Sequence, residues 1–546
     1  MVDESTVVEG LIEVREEART EPAAQVLDAA ALELVARLHA RLEPERRELL
    51  AAREARQREY DAGAVPEYLP MSEASGDWRV APLPADLLTR RVEITGPVSD
   101  PKMVINMLSR TEGGDRADAA MLDFEDSMKP SWENVVRGLE NLTRAVDGTL
   151  VFSKPGRANE PAKEYRLDRD DMPLLMVRVR GLHLDESNVL VDGAPVSAGL
   201  FDLTLSVWHT ARRLLEQGKT PKYYVPKCED HLEARWWNRL FSLLEEALSI
   251  PAGTLKATFL IETLPAAFQM EEILWEIRGR AAGLNVGRWD KIFSDIKVLR
   301  EHGDRVLADR GSISLNRPWM RDYALRLVKV CHRHGAFAMG GMSAFTPGGT
   351  AERREEQTRK VVEDKAFEAS MGHDGCWVSH PYFIGPAMSA FPRDNQLDVV
   401  PDIDDRPDLL PRPEGPRTLD GLRKNVRVGI AYMHGWNQDI GCVAWDDLME
   451  DLATLEISRA QVWQWLRHGI ALDDGTVVTH ELVRAIFDEE GAQIGFADAR
   501  VDAEAIFTEA RFRPFLTCRS ELAGTDLETQ RARLRAEGTS GLQAPL

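Results

Sequence analysis

The sequence has 546 residues and a formal net charge of −22, with 43% hydrophobic and 29% charged residues. This balance is too apolar for a disordered chain and is typical of a globular protein that buries a sizeable core. The acidity argues against nucleic acid and anionic membrane surfaces as partners, because phosphate binding needs clustered Lys and Arg. No apolar run reaches the roughly 18 residues that a membrane helix needs.

The termini and the cysteines point to a cytoplasmic protein. The first residues, MVDESTVVEGLIEVREE, lack the basic flank and apolar core of a targeting peptide. The last three, Ala544, Pro545 and Leu546, are not a peroxisomal address of the SKL type. The five cysteines include no C-x-x-C pair, which predicts neither a disulfide framework nor a zinc site. We find no signal that sets an oligomeric state.

The N-terminal part of the chain reads as helical. Apolar residues recur at helical spacing from about residue 25 to 65, and Gly63 ends the pattern. Four prolines between 66 and 84 then mark a linker. We therefore expect a helical clasp and linker over residues 1–89.

The next 300 residues alternate short apolar runs with amphipathic helix patterns. The eight runs are VEITG (92–96), AMLDFED (120–126), LLMVRVR (174–180), KYYVPK (222–227), ATFLIET (257–263), GLNVG (283–287), AFAMGG (336–341) and CWVSHP (376–381). Apolar strands with helical crossovers indicate a parallel sheet covered on both faces. Eight such units predict a (β/α)8 TIM barrel over residues 90–398, with an open doubly wound sheet as the alternative.

Two further features complete the predicted organisation. The Asp-Gly in VLVDGAPVS (189–197) predicts a small β-hairpin insertion within the barrel. A Pro- and Asp-rich linker over 399–417 precedes a C-terminal helical domain over 418–546, in which WDDLMEDLATLEISRAQVWQWLRHG reads as one helix.

Barrel active sites form at the C-terminal ends of the strands, so the polar residues there are candidates. Glu262 lies at the end of the fifth apolar run, and Asp290 follows the sixth. A few carboxylates with waters and substrate oxygens are the usual Mg2+ arrangement, whereas the alternative is that Asp290 only caps the following helix. The motif GxNxGRWD also offers backbone N–H groups at a helix start, which suits an anion.

Other candidates carry weaker signals. Arg178 lies inside an apolar run, so it either pairs with a carboxylate of DFED or faces a ligand, while Arg180 reads as a structural partner. The histidines lack a metal spacing: His332 and His334 read as a basic helix C-terminal cap, and His373 and His380 bracket the eighth run. Glu450, Asp451 and Glu456 have the spacing of a solvated helix face.

At these motifs the sequence resembles the malate synthases, in their shorter A-type form. The matching stretches are RRVEITGPVSDPKMVINML (90–108), LDFEDS (122–127), VRVRGLHL (177–184), LKATFLIETLPAAFQMEEIL (255–274), GLNVGRWDKIFS (283–294), CHRHGAFAMGGMSA (331–344), GHDGCWVSHP (372–381) and LMEDLATLEISRAQVWQW (448–465). They occur in the order known for the family and cover most of the chain.

The resemblance implies an acyltransferase of the glyoxylate bypass that condenses acetyl-CoA with glyoxylate and hydrolyses the thioester, giving malate and CoA. It implies Mg2+, or Mn2+, as cofactor and small molecules as partners. It assigns residues of this sequence as follows: Glu262 and Asp290 to the metal; Arg178 and Asp451 to catalysis; Arg178, Glu262, Gly287, Arg288, Trp289 and Asp290 to glyoxylate; Ser127 and Pro381 to acetyl-CoA.

The chain also departs from the pattern of the family. After the eighth run it reads HPYFIGPAM where the family has HPGL, so CoA contacts around Pro381 differ. One alternative function is a malyl-CoA or citramalyl-CoA lyase, but such lyases lack a helical tail that carries MED. Another is a non-catalytic acyl-CoA-binding protein, which is expected to have lost part of the constellation.

Overall fold

The computed structural model describes residues 12–156 and 162–518, which form two compact units. The first unit comprises the described parts of residues 1–54, 68–287 and 324–407. The second comprises those of residues 55–67, 288–323 and 408–546. Within the described residues, no helix combines the length and the apolar character that crossing a membrane requires.

Eight parallel strands of the first unit close into a barrel. They are β1 (Val92–Pro97), β2 (Ala119–Asp123), β3 (Leu174–Arg178), β4 (Lys222–Val225), β5 (Lys256–Ile261), β6 (Ala281–Val286), β7 (Phe337–Ser343) and β8 (Gly375–Val378). Each strand pairs with the next along the chain, and β8 pairs with β1. This confirms the predicted (β/α)8 barrel over the open sheet, and all eight apolar runs became its strands.

The other seven strands within the described residues form small antiparallel sheets. Ile12–Val14, Asp185–Val191 and Ala194–Ser197 form one sheet, in that order. The last two are the predicted hairpin, whose turn residues Asp192 and Gly193 both have positive φ, at 49° and 78°. The other two sheets are two-stranded and pair Val151–Lys154 with Lys163–Arg166, and Val443–Trp445 with Leu448–Glu450.

The described α-helices have the following bounds: Glu21–Val26, Ala29–Asp61, Pro101–Met107, Trp132–Val146, Ala198–Glu216, His231–Ala247, Leu264–Ala267, Met270–Glu276, Arg288–Val298, Pro318–His334, Ala351–Ser370, Ile384–Ser389, Leu419–Asn437, Leu452–Arg467, His480–Ile494 and Ala497–Phe507. Many begin at a Ser, Thr or Asp whose side chain accepts a backbone N–H of the first turn, such as Ser131, Thr418 and Asp451. Local sequence thus sets where these helices start.

One predicted helix is shorter than expected. The pattern from Trp445 to Gly469 suggested a single helix, but Val443–Trp445 and Leu448–Glu450 are a hairpin and the helix begins at Leu452. The turn consists of Asp446 and Asp447, both with left-handed φ, at 47° and 61°. Asp tolerates this conformation better than most residues, because its short polar side chain bonds locally.

The barrel interior combines an apolar layer with a buried polar network. Met121, Met176, Leu260 and Phe337 belong to the apolar cluster. Beside them, Arg90 and Glu93 are fully buried and ion-paired, with 2.8 Å between Nε and Oε1. A buried pair of this kind is stable only when its remaining hydrogen bonds are satisfied.

Side chains of two other strands, β4 and β8, contribute to those bonds. The Arg90 guanidinium donates to the Tyr224 hydroxyl at 2.7 Å. The Trp377 indole N–H donates to Glu93 at 3.1 Å, and the Tyr224 hydroxyl donates to the same carboxylate. The network therefore ties β1, β4 and β8 together across the barrel.

The second unit has its own apolar core. Buried side chains from four helices meet there, including Leu422, Leu455, Phe487 and Phe507. The helix Leu452–Arg467 is buried over nearly its whole length. That burial bears on the acidic residues at its start, which are described below.

Candidate active site

The register of the barrel places an arginine beside an aspartate at its C-terminal end. Asp123 ends β2, Arg178 ends β3, and the two are paired directly across the strands. Arg178 Nε and Nη2 donate to Asp123 Oδ1 and Oδ2 at 2.7 and 2.6 Å. The Ser127 hydroxyl donates to the same Oδ2 at 2.6 Å. This bidentate contact fixes the plane of the guanidinium.

Opposite charge and hydrogen bonds keep this pair ionised in spite of burial. Burial acts to raise the pKa of Asp123, but the Arg178 charge and its hydrogen bonds outweigh burial and lower that pKa. For Arg178, burial acts to lower the pKa, but Asp123 and Glu125 raise it well above its ordinary value. Arg178 is therefore a permanent cation held in one orientation.

A lysine after β4 joins three further carboxylates to this pair. The Lys227 ammonium lies 2.8 Å from Glu125 Oε1, 2.6 Å from Asp126 Oδ2 and 3.6 Å from Glu262 Oε1. Glu125 also lies 3.3 Å from Arg178 Nη1. Burial, followed by the neighbouring Asp126 charge, raises the pKa of Glu125 to about 7. The cluster thus concentrates negative charge away from water.

Glu262 has one carboxylate oxygen engaged and one oxygen open. It follows β5 and is fully buried. Its Oε1 accepts the Lys227 backbone N–H at 2.7 Å. Its Oε2 has no hydrogen-bond partner among the residues that the structure describes. Burial raises the pKa of this carboxyl group, as expected when a buried charge is only partly compensated.

Gly287 leaves space at this open oxygen. A Cβ at that position would lie 2.8 Å from Glu262 Oε2 and 2.6 Å from Glu262 Cβ. Any larger residue would therefore push against the carboxylate. A buried carboxylate oxygen beside free space fits a hard cation such as Mg2+, which takes few protein oxygens. Across residues 12–156 and 162–518, no group of three or more His, Cys, Asp or Glu side chains has a metal-binding arrangement.

The predicted anion-binding loop is the start of a helix. Gly287 follows β6, and Arg288, Trp289 and Asp290 form the first turn of Arg288–Val298. Asp290 is 6% exposed, and the Arg288 guanidinium lies 5.4 Å from the Trp289 ring centroid. The first N–H groups of a helix have no partner within the helix, so they suit an anionic ligand.

In the second unit, Asp451 caps a buried helix. Its Oδ1 accepts the Thr454 N–H at 3.1 Å, and the Thr454 hydroxyl accepts the Asp451 N–H at 3.0 Å. This reciprocal capping box fixes the carboxylate at the helix N-terminus. Asp451 is 7% exposed, so it is a buried carboxylate held by its own backbone.

The neighbours of Asp451 are also buried, so the prediction of a solvated helix face is wrong. Glu450 is 1% exposed and accepts Arg310 Nη2 at 2.8 Å. Arg310 Nη1 also donates to the Thr454 carbonyl at 3.1 Å. Glu456 is 2% exposed and pairs with Arg459. Helical spacing alone could not reveal that packing covers every face of this helix.

Other residues proposed from sequence have structural partners. Arg180 is bound by Asp202 and Glu186, at 2.7 and 2.9 Å, as expected of a structural arginine. Pro381 begins the short 3-10 helix Pro381–Phe383 directly after β8. His380 caps that helix through the Tyr382 N–H.

The remaining histidines belong to the amino end of the barrel. His332 and His334 do lie in the last turn of a helix, but both rings are buried and bond to Asp374 and Glu271. His373 precedes β8 and is fully buried. The amino ends of the strands lie opposite the ends that carry Arg178 and Glu262, so His373 is a packing residue.

Sequence reasoning considered Glu125 and Asp126 only as possible partners of Arg178 within DFED, and it gave no role to Lys227. Each lies at the end of an apolar run, so its position at a strand end was an available signal. Spacing along the chain could not show that Lys227 contacts both Asp126, 101 positions before it, and Glu262, 35 positions after it.

Comparison with known proteins identifies the family. Profiles described as malate synthase N-terminal domain, TIM barrel domain and C-terminal match residues 12–74, 174–405 and 416–522. The chain is 46% identical to the malate synthase of Myxococcus xanthus over 517 residues, which cover 90% of this chain and 93% of that protein. The chain belongs to the malate synthase family. It is also 42% identical to malate synthase A of Escherichia coli over 515 residues, covering 90% and 94%.

Membership of the malate synthase family confirms the resemblance found in the motifs. A third malate synthase, from Streptomyces clavuligerus, is 43% identical over 486 residues, covering 85% of this chain and 86% of that protein. Arg178, Glu262 and Asp290 fall within the match to the malate synthase barrel, and Asp451 falls within the match to the C-terminal domain.

Proposed function

We propose that this chain condenses acetyl-CoA with glyoxylate and hydrolyses the resulting thioester to give malate and CoA. The observation that carries the proposal is the match to malate synthases over about nine-tenths of the chain. It is supported by the buried arginine and the half-engaged carboxylate at one end of the barrel. The substrates are small molecules, and we propose the cytoplasm as the compartment, where the five free cysteines remain reduced.

Glu262 and Asp290 are the residues we propose for holding Mg2+, with Mn2+ as an alternative. The open Oε2 of Glu262 and the space beside Gly287 support the choice of Glu262. A bound Mg2+ supplies Lewis acidity that polarises the aldehyde carbonyl of glyoxylate. The backbone N–H groups of Gly287, Arg288, Trp289 and Asp290 bind the glyoxylate carboxylate, as helix starts bind anions.

Asp451 is the proposed base that takes a proton from the acetyl methyl group. The capping box supports this role because it fixes the carboxylate in one orientation. Ser127 and Pro381 are proposed to contact acetyl-CoA.

Arg178 is proposed to stabilise the enolate that forms when the proton leaves. Its charge is permanent, and its orientation is set by Asp123. Charge-assisted hydrogen bonds to the enolate oxygen lower the barrier to deprotonation. The enolate carbon then forms the new carbon–carbon bond to the aldehyde carbon. Water cleaves the thioester bond, and the sulfur leaves as the thiol of CoA.

The test is a free-thiol assay with acetyl-CoA and glyoxylate, run with Mg2+ and with a chelator. We expect thiol release that requires both substrates and is lost with the chelator. A malyl-CoA or citramalyl-CoA lyase would form or cleave the carbon–carbon bond without releasing CoA. A non-catalytic acyl-CoA-binding protein would release none, and either result would reject the proposal.

A further inference from the structure

Lys227 has an unusual backbone that is anchored on both sides. It is one of the few described non-glycine residues with positive φ, at 56°, and it follows Pro226 at the end of β4. Its N–H donates to Glu262 Oε1 at 2.7 Å, while its carbonyl accepts Arg53 Nη2 at 2.8 Å. A left-handed backbone conformation costs a non-glycine residue such as lysine about 1 kcal/mol. The two hydrogen bonds therefore hold the Lys227 backbone in a conformation that is locally unfavourable.

The anchor on the carbonyl side is itself rigid. Arg53 is 9% exposed and binds Glu233 with two hydrogen bonds, of 2.7 Å from Nε and 2.6 Å from Nη2. The long helix Ala29–Asp61 supplies this arginine. The backbone position of Lys227 is therefore set by the helix on one side and by Glu262 on the other.

The side chain of Lys227 turns to a different part of the cluster. Its ammonium lies within 2.8 Å of both Glu125 and Asp126, but 3.6 Å from the nearer oxygen of Glu262. That oxygen is Oε1, and the second oxygen of Glu262 has no hydrogen-bond partner among the described residues. The ammonium thus neutralises charge at Glu125 and Asp126, whereas the second oxygen of Glu262 is open to another cation.

The cluster contains more carboxylates than cations. When ionised, its carboxylates are Asp123, Glu125, Asp126 and Glu262, and its cations are Arg178 and Lys227. These four carboxylates outnumber the two cations by two, and Asp290, the other proposed metal ligand, is not among them. Without the ammonium, Glu125 and Asp126 would lose the cation that they share, although Glu125 keeps its contact with Arg178. Two adjacent buried carboxylates repel each other, which favours the binding of another cation.

We propose that Lys227 is a built-in cation that occupies the Glu125–Asp126 side of this cluster and so limits the cluster to one divalent ion, at Glu262. The inference rests on the proposed function, which places a metal ion at Glu262. Replacing the ammonium by a neutral group opens a second divalent-cation site. A second ion there disturbs Arg178, which contacts Glu125, so turnover falls even though metal binding increases.

The test is a titration of substrate-free protein with Mn2+, followed by electron paramagnetic resonance. We expect about one bound equivalent for the wild type and about two for Lys227→Met, with spin-coupled broadening from neighbouring ions. Lys227→Arg keeps the charge and is expected to bind one. Lys222→Met is the matched control: Lys222 is a buried, ion-paired lysine at the other end of β4, and its loss leaves one equivalent.

The outcomes separate the inference from the proposed function. One equivalent in folded Lys227→Met, or two in the wild type, overturns the inference and leaves the function intact. No Mn2+ binding by the wild type rejects the metal site of the proposed function. Lys227→Gly is the second variant, because glycine adopts positive φ freely and keeps the backbone N–H. Failure of both variants to fold would assign Lys227 to stability and also overturn the inference.

Discussion

At the scale of single residues, the proposed base also has a structural task. Asp451 is the N-cap of the helix Leu452–Arg467 and exchanges hydrogen bonds with Thr454. Asparagine is as good an N-cap as aspartate, because its side-chain oxygen accepts the same N–H. Substitution by asparagine therefore separates the proton transfer from the helix cap.

We expect Asp451→Asn to lower kcat by at least about 1,000-fold, while the melting temperature and glyoxylate binding change little. The thiol-release assay gives kcat, and calorimetric titration gives glyoxylate affinity. Asp28→Asn is the control, since Asp28 Oδ1 accepts the Ala31 N–H at the start of another helix. Wild-type turnover in Asp451→Asn would reject the assigned base.

A second residue-level consequence concerns stability in acid. Burial lowers the pKa of His373 to about 4, below the value of about 6.5 for an unfolded chain. Between these values the unfolded chain binds a proton that the folded chain excludes. Stability from the neutral ring is thus fully present above pH 6.5 and is lost as pH falls towards 4.

From pH 7 to pH 5 we expect this histidine to cost the wild type about 2 kcal/mol of unfolding free energy. In His373→Gln, the part of the change in unfolding free energy between pH 7 and pH 5 that comes from this histidine is absent. This holds whatever the unfolding free energy of the variant is at pH 7. Urea titrations at both pH values measure the difference. His480→Gln, at an exposed helix start, is the control and keeps the wild-type slope. Equal slopes in all three proteins would contradict the assignment.

At the scale of elements, strand register creates the charged cluster. The pairing of β2 with β3 brings Asp123 level with Arg178. The alternation of apolar runs and helices predicted the strands. Because it predicted a barrel, it also indicated that candidate site residues lie at the C-terminal ends of those strands. It did not predict which strand ends share a hydrogen bond, because register depends on packing around the whole closed sheet.

The loop after β6 offers a test at this scale. In Gly287→Ala the new methyl group collides with Glu262, so the carboxylate must move. We expect Mn2+ affinity to fall by about 10-fold or more, as happens when support of a metal ligand is lost. Gly279→Ala is the control at the other end of β6, where a Cβ would meet no heavy atom within 4 Å. Unchanged Mn2+ affinity in Gly287→Ala would argue against Glu262 as a ligand.

At the scale of the whole molecule, two compact units share one chain. Chains of this size and organisation commonly unfold in more than one step. Glu262 belongs to the unit that contains the barrel. A metal ion that binds Glu262 in the folded protein but not in the unfolded chain therefore stabilises that unit by mass action.

At a free Mg2+ concentration of 100 times the dissociation constant, we expect the transition of the barrel unit to gain about 2.7 kcal/mol. Calorimetric melts with Mg2+ and with chelator measure the gain. Glu262→Gln abolishes it, whereas Glu355→Gln, at an exposed site, preserves it. An equal gain in Glu262→Gln would place the stabilising ion elsewhere.

The acidity of the whole chain sets a problem that only local structure solves. With a net charge of −22, the protein must bind two anionic substrates. In the proposed function, Arg178 and the N–H groups that begin Arg288–Val298 provide local positive charge for these anions. Net charge therefore predicts which macromolecules the protein avoids better than it predicts which small molecules it binds.

The sequence by itself determined the barrel, its strands and the family, because apolar periodicity and long motifs are local properties. Tertiary structure alone decided that Asp451 is buried and that Lys227 gathers carboxylates from β2 and β5. The physical reason is that burial and charge pairing depend on residues far apart in the chain. Their distances are set only when the barrel closes and the helices of the second unit pack.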